Sequence, residues 1–547
     1  MSGLASRPWV LPLALALLVL LRLQGLMWDE GRLYHPDEFN LVFAAGKLVF
    51  PGGMVPDFHA YNGLALALPK GLAVVLCGPA PGGSCISLAA RLISALCAGA
   101  ALWLAFRIAL RLGGASAGGL ALGLLGLSAP LIQWAHFGTT ESALTLAVLA
   151  AWAQGLRYLD GQDGPWRAGL GWALILGLAL GAKSSAAVIG IIPLAALVLR
   201  PDGRGRGWLL AVPVSVLLAA GLFLLTTPAL IYATQDYLAV MRFEGDVVAG
   251  RTDVFWTWQF EGAVAGLYEL RQLWSMTGGA GLVLAVLGIA AALRRRDRGA
   301  ALGLAFLILY LAIIVTWHAR FTRYLAPVLP VLLIFAALGG TALWARLRGT
   351  MLRLAFGLAL APAALAGLSL AASYRFPDSR IAAAAALEAR VQKGDVVLLE
   401  PRDIGPSEFA GASVMTLPLM EPSTPDKPGQ LAAALAQGDW MVLYSRRHWA
   451  VLPHLARFPE MCGYYAALTR GDLGYEVALD VPRFAPLGGF LSPGLGAEET
   501  RVVFDRPEVF VLRRVNRLPP EEMLAQITAP GQDCRAEVLL DNLRRPR

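Results

Sequence analysis

Charge is what this chain has least of. Only 15% of its 547 residues are Asp, Glu, Lys or Arg, where a soluble protein of this size carries about a quarter. With 57% hydrophobic residues, that deficit excludes an ordinary soluble globular chain. Cysteine is sparse too: five residues, none in a Cys/His spacing that would build a structural zinc site. The net charge of +8 is not gathered in one face or tail, and no nucleic-acid-binding motif occurs, so nucleic acid is set aside as a partner. No small-x-small cleavage site accompanies the first apolar run, Trp9 to Met27, which is longer than a signal h-region; it reads as an uncleaved anchor. Tandem repeats and low-complexity tracts are also missing, although an Ala-Leu-Gly bias is pervasive.

In place of charge the chain has apolar length. Runs fall at roughly 9–27, 87–106, 117–133, 142–156, 168–182, 185–199, 208–226, 274–293, 300–317, 325–345 and 351–371. Set against about 30 Å of hydrocarbon, they predict a polytopic α-helical membrane protein with about eleven transmembrane helices. Arginines mark alternate turns: Arg107 and Arg111; Arg157 and Arg167; Arg200, Arg204 and Arg206; Arg294, Arg295, Arg296 and Arg298; Arg346, Arg348 and Arg353, with Arg7 ahead of the first run. Under simple alternation all fall on one side, which the positive-inside rule makes cytoplasmic. The N-terminus is then cytoplasmic, and everything beyond about Ser373 is periplasmic or extracytoplasmic, as expected of a multi-pass chain in a bacterial inner (plasma) membrane.

A transmembrane domain over 1–373, with outer loops 28–86 and 227–273, is thus expected before a soluble domain over 374–547. Leu64 to Cys77 is too short for a span and reads as an interfacial or re-entrant helix. The loop 227–273 carries Tyr232, Tyr237, Phe255, Trp256, Trp258, Phe260 and Tyr268, aromatics that favour headgroup depth. Beyond it, Ser379 to Gln392 reads as a helix and 395–400 as a strand. Trp440 to Tyr444 and Val502 to Val515 add further strands, the last pair broken at Arg506-Pro507, so the domain is α/β or α+β. Cys77 and Cys85 fall outside the membrane, as do Cys462 and Cys534; each pair is a candidate disulfide, and Cys97 is mid-span.

One stretch carries most of the chemistry: Tyr34-His35-Pro36-Asp37-Glu38-Phe39-Asn40, where the chain has just left its first apolar run. Proline and acids suit a first helical turn, which explains the pattern without any function. Carboxylates beside lipid are costly, however, and other ionisable groups fall at the same outer boundary. They are His136 and Glu141; Lys183; and His318, Arg320, Arg323 and Tyr324, with Arg242, Glu244, Asp246 and Arg251 in the aromatic loop. Each has an ordinary explanation, such as a snorkelling Lys183 or a helix-capping Glu141. Together they place cations against acids where the positive-inside rule disfavours cations. Such a site suits a lipid-phosphate sugar donor, with Lys and Arg on the phosphate and a carboxylate deprotonating the acceptor hydroxyl.

The ordered motifs resemble the lipid-carrier-dependent glycosyltransferases of the C-type superfamily, in particular family 39, the protein O-mannosyltransferase relatives and the lipid A aminoarabinose transferases. They are His35-Pro36-Asp37-Glu38 in the first outer loop; His136-Phe137-Gly138-Thr139-Thr140-Glu141-Ser142, with Glu141 where the family usually has Asp; and Gly177 to Lys183. Arg323-Tyr324-Leu325-Ala326-Pro327 follows, then Tyr464-Tyr465, Gly471 to Glu476 and Phe504-Asp505-Arg506-Pro507 in the C-terminal domain. The resemblance implies the C-type glycosyltransferase fold and an inverting, single-displacement transfer from a polyprenyl-phosphate-linked sugar, in contact with membrane lipid, to a protein, lipid or glycan acceptor. Asp37 is implied as the catalytic base. Glu38 would orient a partner or help hold acceptor or metal, because adjacent helical residues point about 100° apart. His35, His136 and Glu141 would support the acceptor side; Lys183, Arg320, Arg323, Tyr324 and His318 would take the donor phosphate. The family includes members with and without a divalent cation, and the acids here suit either. A transporter or lipid flippase is the alternative, but such proteins place ionisable groups near the midplane on repeat-related broken helices. A non-catalytic scaffold would not need the convergent acids and cations.

Overall fold

Every apolar run read above is helical over most of its length. The computed structural model describes residues 9–50, 52–200, 207–483 and 493–545, so Arg7, Arg204 and Arg206 of the arginine pattern lie outside the described residues. Two compact units emerge: Met1–Asp253 with Ala263–Arg375, and Val254–Gly262 with Phe376–Arg547. The short segment Val254–Gly262, expected along the membrane surface, groups with the C-terminal unit.

Among the described residues of the first unit, three helices are long and apolar enough by themselves to cross a membrane: Gly83–Gly126, Gly207–Thr226 and Thr350–Ser373. The bent pair Leu267–Thr277 and Ala280–Arg295 would make a fourth if counted as one span. Others, such as Leu329–Trp344, are shorter; its 16 residues rise about 24 Å against about 30 Å of hydrocarbon. Length and composition therefore support a multi-span membrane unit without reaching the expected count.

Three boundaries differ from the sequence reading. The runs 87–106 and 117–133 are joined in one 44-residue helical stretch, Gly83–Gly126, broken at Gly114, so Arg107 and Arg111 sit on helix rather than in a turn. Gly114 has φ 79°, ψ −176°, a conformation only glycine adopts easily, and it redirects the chain without a loop. The run 274–293 begins in the wrong helix: Leu267–Thr277 and Ala280–Arg295 meet at 105° across Gly278 and Gly279, both left-handed. The run 185–199 opens as a tighter 3-10 segment, Ser184–Gly190, before the helix Ile191–Leu199.

Leu329–Trp344 is apolar all round and is buried along most of its length, as such a helix must be. It lies against Ala280–Arg295 through two glycines: a Cβ on Gly288 would stand 1.9 Å from the Phe335 carbonyl oxygen, and one on Gly339 2.0 Å from that of Leu284. Backbones approach this closely only where side chains are missing, the small-residue contact typical of helix pairs in lipid.

The C-terminal unit holds a five-stranded sheet. Its strands are β1 (Val396–Leu399), β2 (Ser413–Thr416), β3 (Trp440–Leu443), β4 (Tyr475–Val481) and β5 (Val509–Arg514), in the order β2-β1-β3-β5-β4. β2, β1 and β3 are parallel, while β5 runs antiparallel to β3 and β4. Alternate residues build two cores, one with Leu398, Met441 and Leu512 against Tyr464, Tyr465 and Leu431, the other with Val397, Val442 and Val511 against Ala383 and Leu387. Val502 to Val515 is not a strand pair: Glu499–Val502 is a short helix and only β5 pairs. Asp378 and Arg506 explain the motif between them. Arg506 donates to the Phe376 and Pro377 carbonyl oxygens at 2.7 and 2.8 Å, and its backbone N–H donates to Asp378. Burial pushes the Asp378 carboxyl up, but Arg380 and these N–H donors bring it below the ordinary range.

Both candidate disulfides are formed, Cys77–Cys85 and Cys462–Cys534, and Cys97 is free. The second closes a loop with a sequence separation of 72 residues, the first one of 8. Loop entropy then assigns about 4 kcal/mol to Cys462–Cys534 and about 2.5 kcal/mol to Cys77–Cys85. Replacing Cys462 and Cys534 by Ser should therefore lower the urea concentration at which the C-terminal unit becomes protease-sensitive, more than replacing Cys77 and Cys85 does for its own segment. Pulse proteolysis across a urea series measures both.

Candidate active site

The helix Pro36–Lys47 starts as its sequence dictates. Pro36 occupies the first position, Asp37 and Glu38 the first turn, and His35 caps it, its Nδ1 accepting from the Glu38 N–H at 3.4 Å. The two acids then diverge. Glu38 is fully buried and accepts from Arg91 Nε at 2.7 Å, Arg91 Nη2 at 3.0 Å and Ser87 Oγ at 2.7 Å. Arg91 also holds both oxygens of Asp29, at 2.8 and 2.7 Å, and donates to the Leu26 carbonyl oxygen. None of these three ionic side chains reaches the surface. Burial alone would raise the Asp29 carboxyl, but the Arg91 guanidinium and the Gly31 and Tyr34 N–H groups pull it down. Gly138 makes room for the cluster, since a Cβ there would stand 2.7 Å from Ala90 Cβ and 2.9 Å from Glu38 Oε1.

Asp37 points the other way, half-buried, and pairs with Arg323 Nη1. The Arg323 guanidinium lies 4.7 Å from the Phe321 ring centroid and 5.7 Å from that of Tyr324. A second pair joins Lys183 Nζ to Glu141 Oε1 at 3.5 Å. Lys183 is extended (φ −155°, ψ 132°) at the break between Pro165–Ala182 and Ser184–Gly190, and Glu141 opens the helix Glu141–Leu159. Asn62 ties this break in place: its Nδ2 donates to the Leu180 carbonyl oxygen at 2.6 Å, and Tyr237 donates to its Oδ1 at 2.9 Å. Lys183 Nζ is 5.3 Å from the Tyr61 ring centroid. Burial, with Glu141, Tyr324 and Glu244 nearby, pushes the Tyr61 phenol well above its ordinary value. Burial also raises the Glu244 carboxyl, against the pull of Lys183. Tyr61 thus feels Glu141 of the second pair and Tyr324, whose ring lies near Arg323.

The remaining sequence candidates have other partners. Arg320 is bound to Glu269 Oε1 at 2.5 Å, both nearly buried, beside a small cavity lined by Gln272, Phe321 and Tyr324. His318 packs on Gly250, its N–H donating to the Val248 carbonyl oxygen at 2.8 Å. His136 is buried and stacked on Tyr374 at 3.8 Å, with its ring nitrogens 2.8 and 2.9 Å from the carbonyl oxygens of Ile132 and Gln24. His35 packs on Phe137 at 4.4 Å. The structure therefore gathers Asp37, Arg323 and Tyr324, and beside them Glu141, Lys183, Tyr61 and Glu244. Glu38 and His136 are engaged by other partners, Arg91 and Ser87 for the first, Tyr374 and two carbonyl oxygens for the second.

Sequence reading missed Asp29 and Arg91. Arg91 had a signal, an arginine inside an apolar run, where an ionisable group is rarely idle.

This fold is similar to that of a solved oligosaccharyltransferase, and part of the chain matches a mannosyltransferase family model. The chain matches an Archaeoglobus fulgidus oligosaccharyltransferase with a TM-score of 0.51 at 11% identity, over 84% of this chain and 73% of that one. Residues 83–232, which hold Arg91, the Glu141 motif and Lys183, match the family model of dolichyl-phosphate-mannose-protein mannosyltransferases. The C-type resemblance read from the motifs is borne out by these two matches. ArnT from Cupriavidus metallidurans, solved bound to undecaprenyl phosphate, aligns over 82% of this chain and 96% of its own, with 16% identity and a TM-score of 0.48. AglB from Archaeoglobus fulgidus, solved with an inhibitory peptide and a dolichol-phosphate, aligns over 84% and 72%, with 11% identity and a TM-score of 0.49. No curated protein sequence matches.

Proposed function

We propose that this chain is an integral-membrane glycosyltransferase that moves a sugar from a polyprenyl-phosphate donor to an acceptor on the outer side of a bacterial inner membrane. The observation that carries the reading is the Asp37–Arg323 pair, a partly exposed carboxylate on a helix start joined to a cation, with a second cation, Lys183, in the same unit. A donor phosphate competes with Asp37 for Arg323, and with Glu141 for Lys183. Its arrival frees the Asp37 carboxylate to accept the acceptor's hydroxyl proton. The acceptor oxygen then bonds to the anomeric carbon, the carbon–oxygen bond to phosphate breaks, and polyprenyl phosphate leaves with its charge held by Arg323 and Lys183. Attack opposite the leaving group inverts the centre.

Asp37 and Glu38 diverge, and Arg91 occupies Glu38, so this acid pair does not fit a shared divalent cation and no step is routed through one. The arginine distribution supports a cytoplasmic N-terminus and an extracytoplasmic domain over 374–547. Incubating the purified chain with a panel of polyprenyl-phosphate sugars tests the reading: one donor should be consumed, and consumption of none would end it.

Lys183→Ala should weaken donor binding about 10- to 100-fold, the range for a lost charge-assisted hydrogen bond, and leave the acceptor KM within about twofold. Initial rates against each substrate separate the two. An acceptor KM that moved more than the donor KM would remove Lys183 from the phosphate.

A further inference from the structure

The carboxyl ends of β1 and β3 carry a cluster that the transfer reaction does not use. Glu400 and Asp403 follow β1, and Ser445 and His448 follow β3. β1 lies between β2 and β3 in the parallel part of the sheet, and the chain leaves it for β2, on the side away from β3. Ligands of open α/β sheets bind in such a crevice, outside the carboxyl ends of strands whose connections diverge.

A nitrogen of His448 and one carboxylate oxygen from each of Glu400 and Asp403 lie within 4.8 Å of one another. His448 Nδ1 and Glu400 Oε2 are 3.3 Å apart. A tetrahedral ion with bonds of about 2.1 Å separates its ligands by about 3.4 Å, so this spacing suits one ion with little movement. Both residues are buried, His448 to 2% exposure and Glu400 to 3%. Among the described residues neither His448 ring nitrogen has a hydrogen-bond partner, and neither does Glu400 Oε2. A buried imidazole without a hydrogen bond costs about 1–3 kcal/mol, and a ligand facing it would remove that cost.

The outer contacts are those of oriented ligands. Tyr465 donates to Glu400 Oε1 at 2.6 Å, leaving Oε2 toward His448. Asp403 Oδ1 accepts from Ser445 Oγ at 2.7 Å and the Ile404 N–H at 3.1 Å, while Oδ2 accepts only from the Ser445 N–H, at 3.1 Å, and keeps a further lone pair. Hydroxyls and N–H groups holding carboxylates in this way are what metal sites place behind their ligands. Arg447, the nearby cation, is engaged by Glu499. One buried and one half-buried carboxylate then face one imidazole, an arrangement that a divalent charge neutralises.

We propose that Glu400, Asp403 and His448 bind a divalent transition-metal ion, zinc by ligand type, with water in the fourth position. One imidazole and two carboxylates suit zinc better than magnesium or calcium, which take all-oxygen shells. The proposal does not depend on the glycosyltransferase reading, since its test uses no sugar.

The full chain, purified in detergent with any affinity tag removed, is stripped with EDTA, given zinc sulfate alone, passed over a desalting column and assayed for metal by mass spectrometry. Wild type should retain about one equivalent more than His448→Ala or Glu400→Gln, as expected of a structural site. Any ion bound in the membrane unit would remain in all three and cancel. Equal retention would overturn the proposal and leave a buried His448–Glu400 ion pair. Tyr465→Phe keeps all three ligands and guards against misfolding; it should bind zinc about 10-fold more weakly, the usual loss on removing an outer contact. Unchanged zinc affinity in Tyr465→Phe would count against the site. Cobalt in place of zinc should give visible ligand-field bands in wild type that His448→Ala lacks, and their absence from wild type would also overturn it.

Discussion

Asp37→Asn should cut sugar transfer about a thousandfold, within the range that a positioned general base contributes. The substitution keeps the shape of the side chain and removes its ability to take a proton. It also breaks the ion pair with Arg323, but both side chains retain about a fifth of their exposure (19% and 18%) and the amide can still accept from Arg323, so the loss should stay below the about 3–5 kcal/mol of a fully buried pair. The variant should therefore fold and run as a monodisperse species in detergent. Freed from Asp37, Arg323 is more available to phosphate, so the donor KM should hold or fall while kcat collapses. That split marks a base rather than a phosphate ligand. Near-normal turnover in a purified assay would remove Asp37 from the mechanism.

Arg91→Met should do its damage through stability. Among the described residues Arg91 is the only cation bonded to Asp29 and Glu38, and all three side chains are sealed from solvent. Removing one member of a buried ionic cluster costs about 3–5 kcal/mol, because the partners are left charged and unpaired. Here two carboxylates would be stranded together, so the effect belongs at the upper end. The variant should lose its native elution profile at a much lower temperature than wild type, followed by size-exclusion chromatography after heating. Asp29→Asn with Glu38→Gln in the Arg91→Met background should restore much of the loss, since neutral side chains tolerate the same space. If Arg91→Met alone were as stable as wild type, the cluster would not be what holds the first outer loop to Gly83–Gly126.

Much of this was legible before any coordinates. Apolar runs determine helices in this chain because hydrocarbon leaves the backbone no partner but itself, and each run did become helix. Their ends were less legible, because a break such as Gly114 or Gly278-Gly279 is a backbone conformation rather than a change of composition. In the sheet, β1 and β3 are buried on both faces and read as continuous apolar runs. β2 is exposed along Ser413–Thr416 and gives almost no pattern. The Phe504-Asp505-Arg506-Pro507 motif was visible, but its job of holding Phe376 and Pro377 depends on a contact across about 130 residues of chain.

The site divides in the same way. The expectation that Asp37 and Glu38 point apart follows from helix geometry alone, and they do. Which of them faces Arg323 and which faces Arg91 needed the fold. His136 and Arg320 looked like members of one constellation because they share a depth; shared depth does not set direction, and each is turned toward its own partner.

The Asp29–Arg91–Glu38 cluster also bears on how the chain is made. An arginine near the start of a spanning helix costs about 2.5–3.5 kcal/mol at the centre of a bilayer and less near its edge. Asp29 and Glu38 precede Arg91 in sequence, so both counter-charges leave the ribosome before the helix that needs them. Insertion of Gly83–Gly126 is in that sense prepared by the loop before it, and a chain lacking either acid would deliver Arg91 to the membrane without a waiting partner.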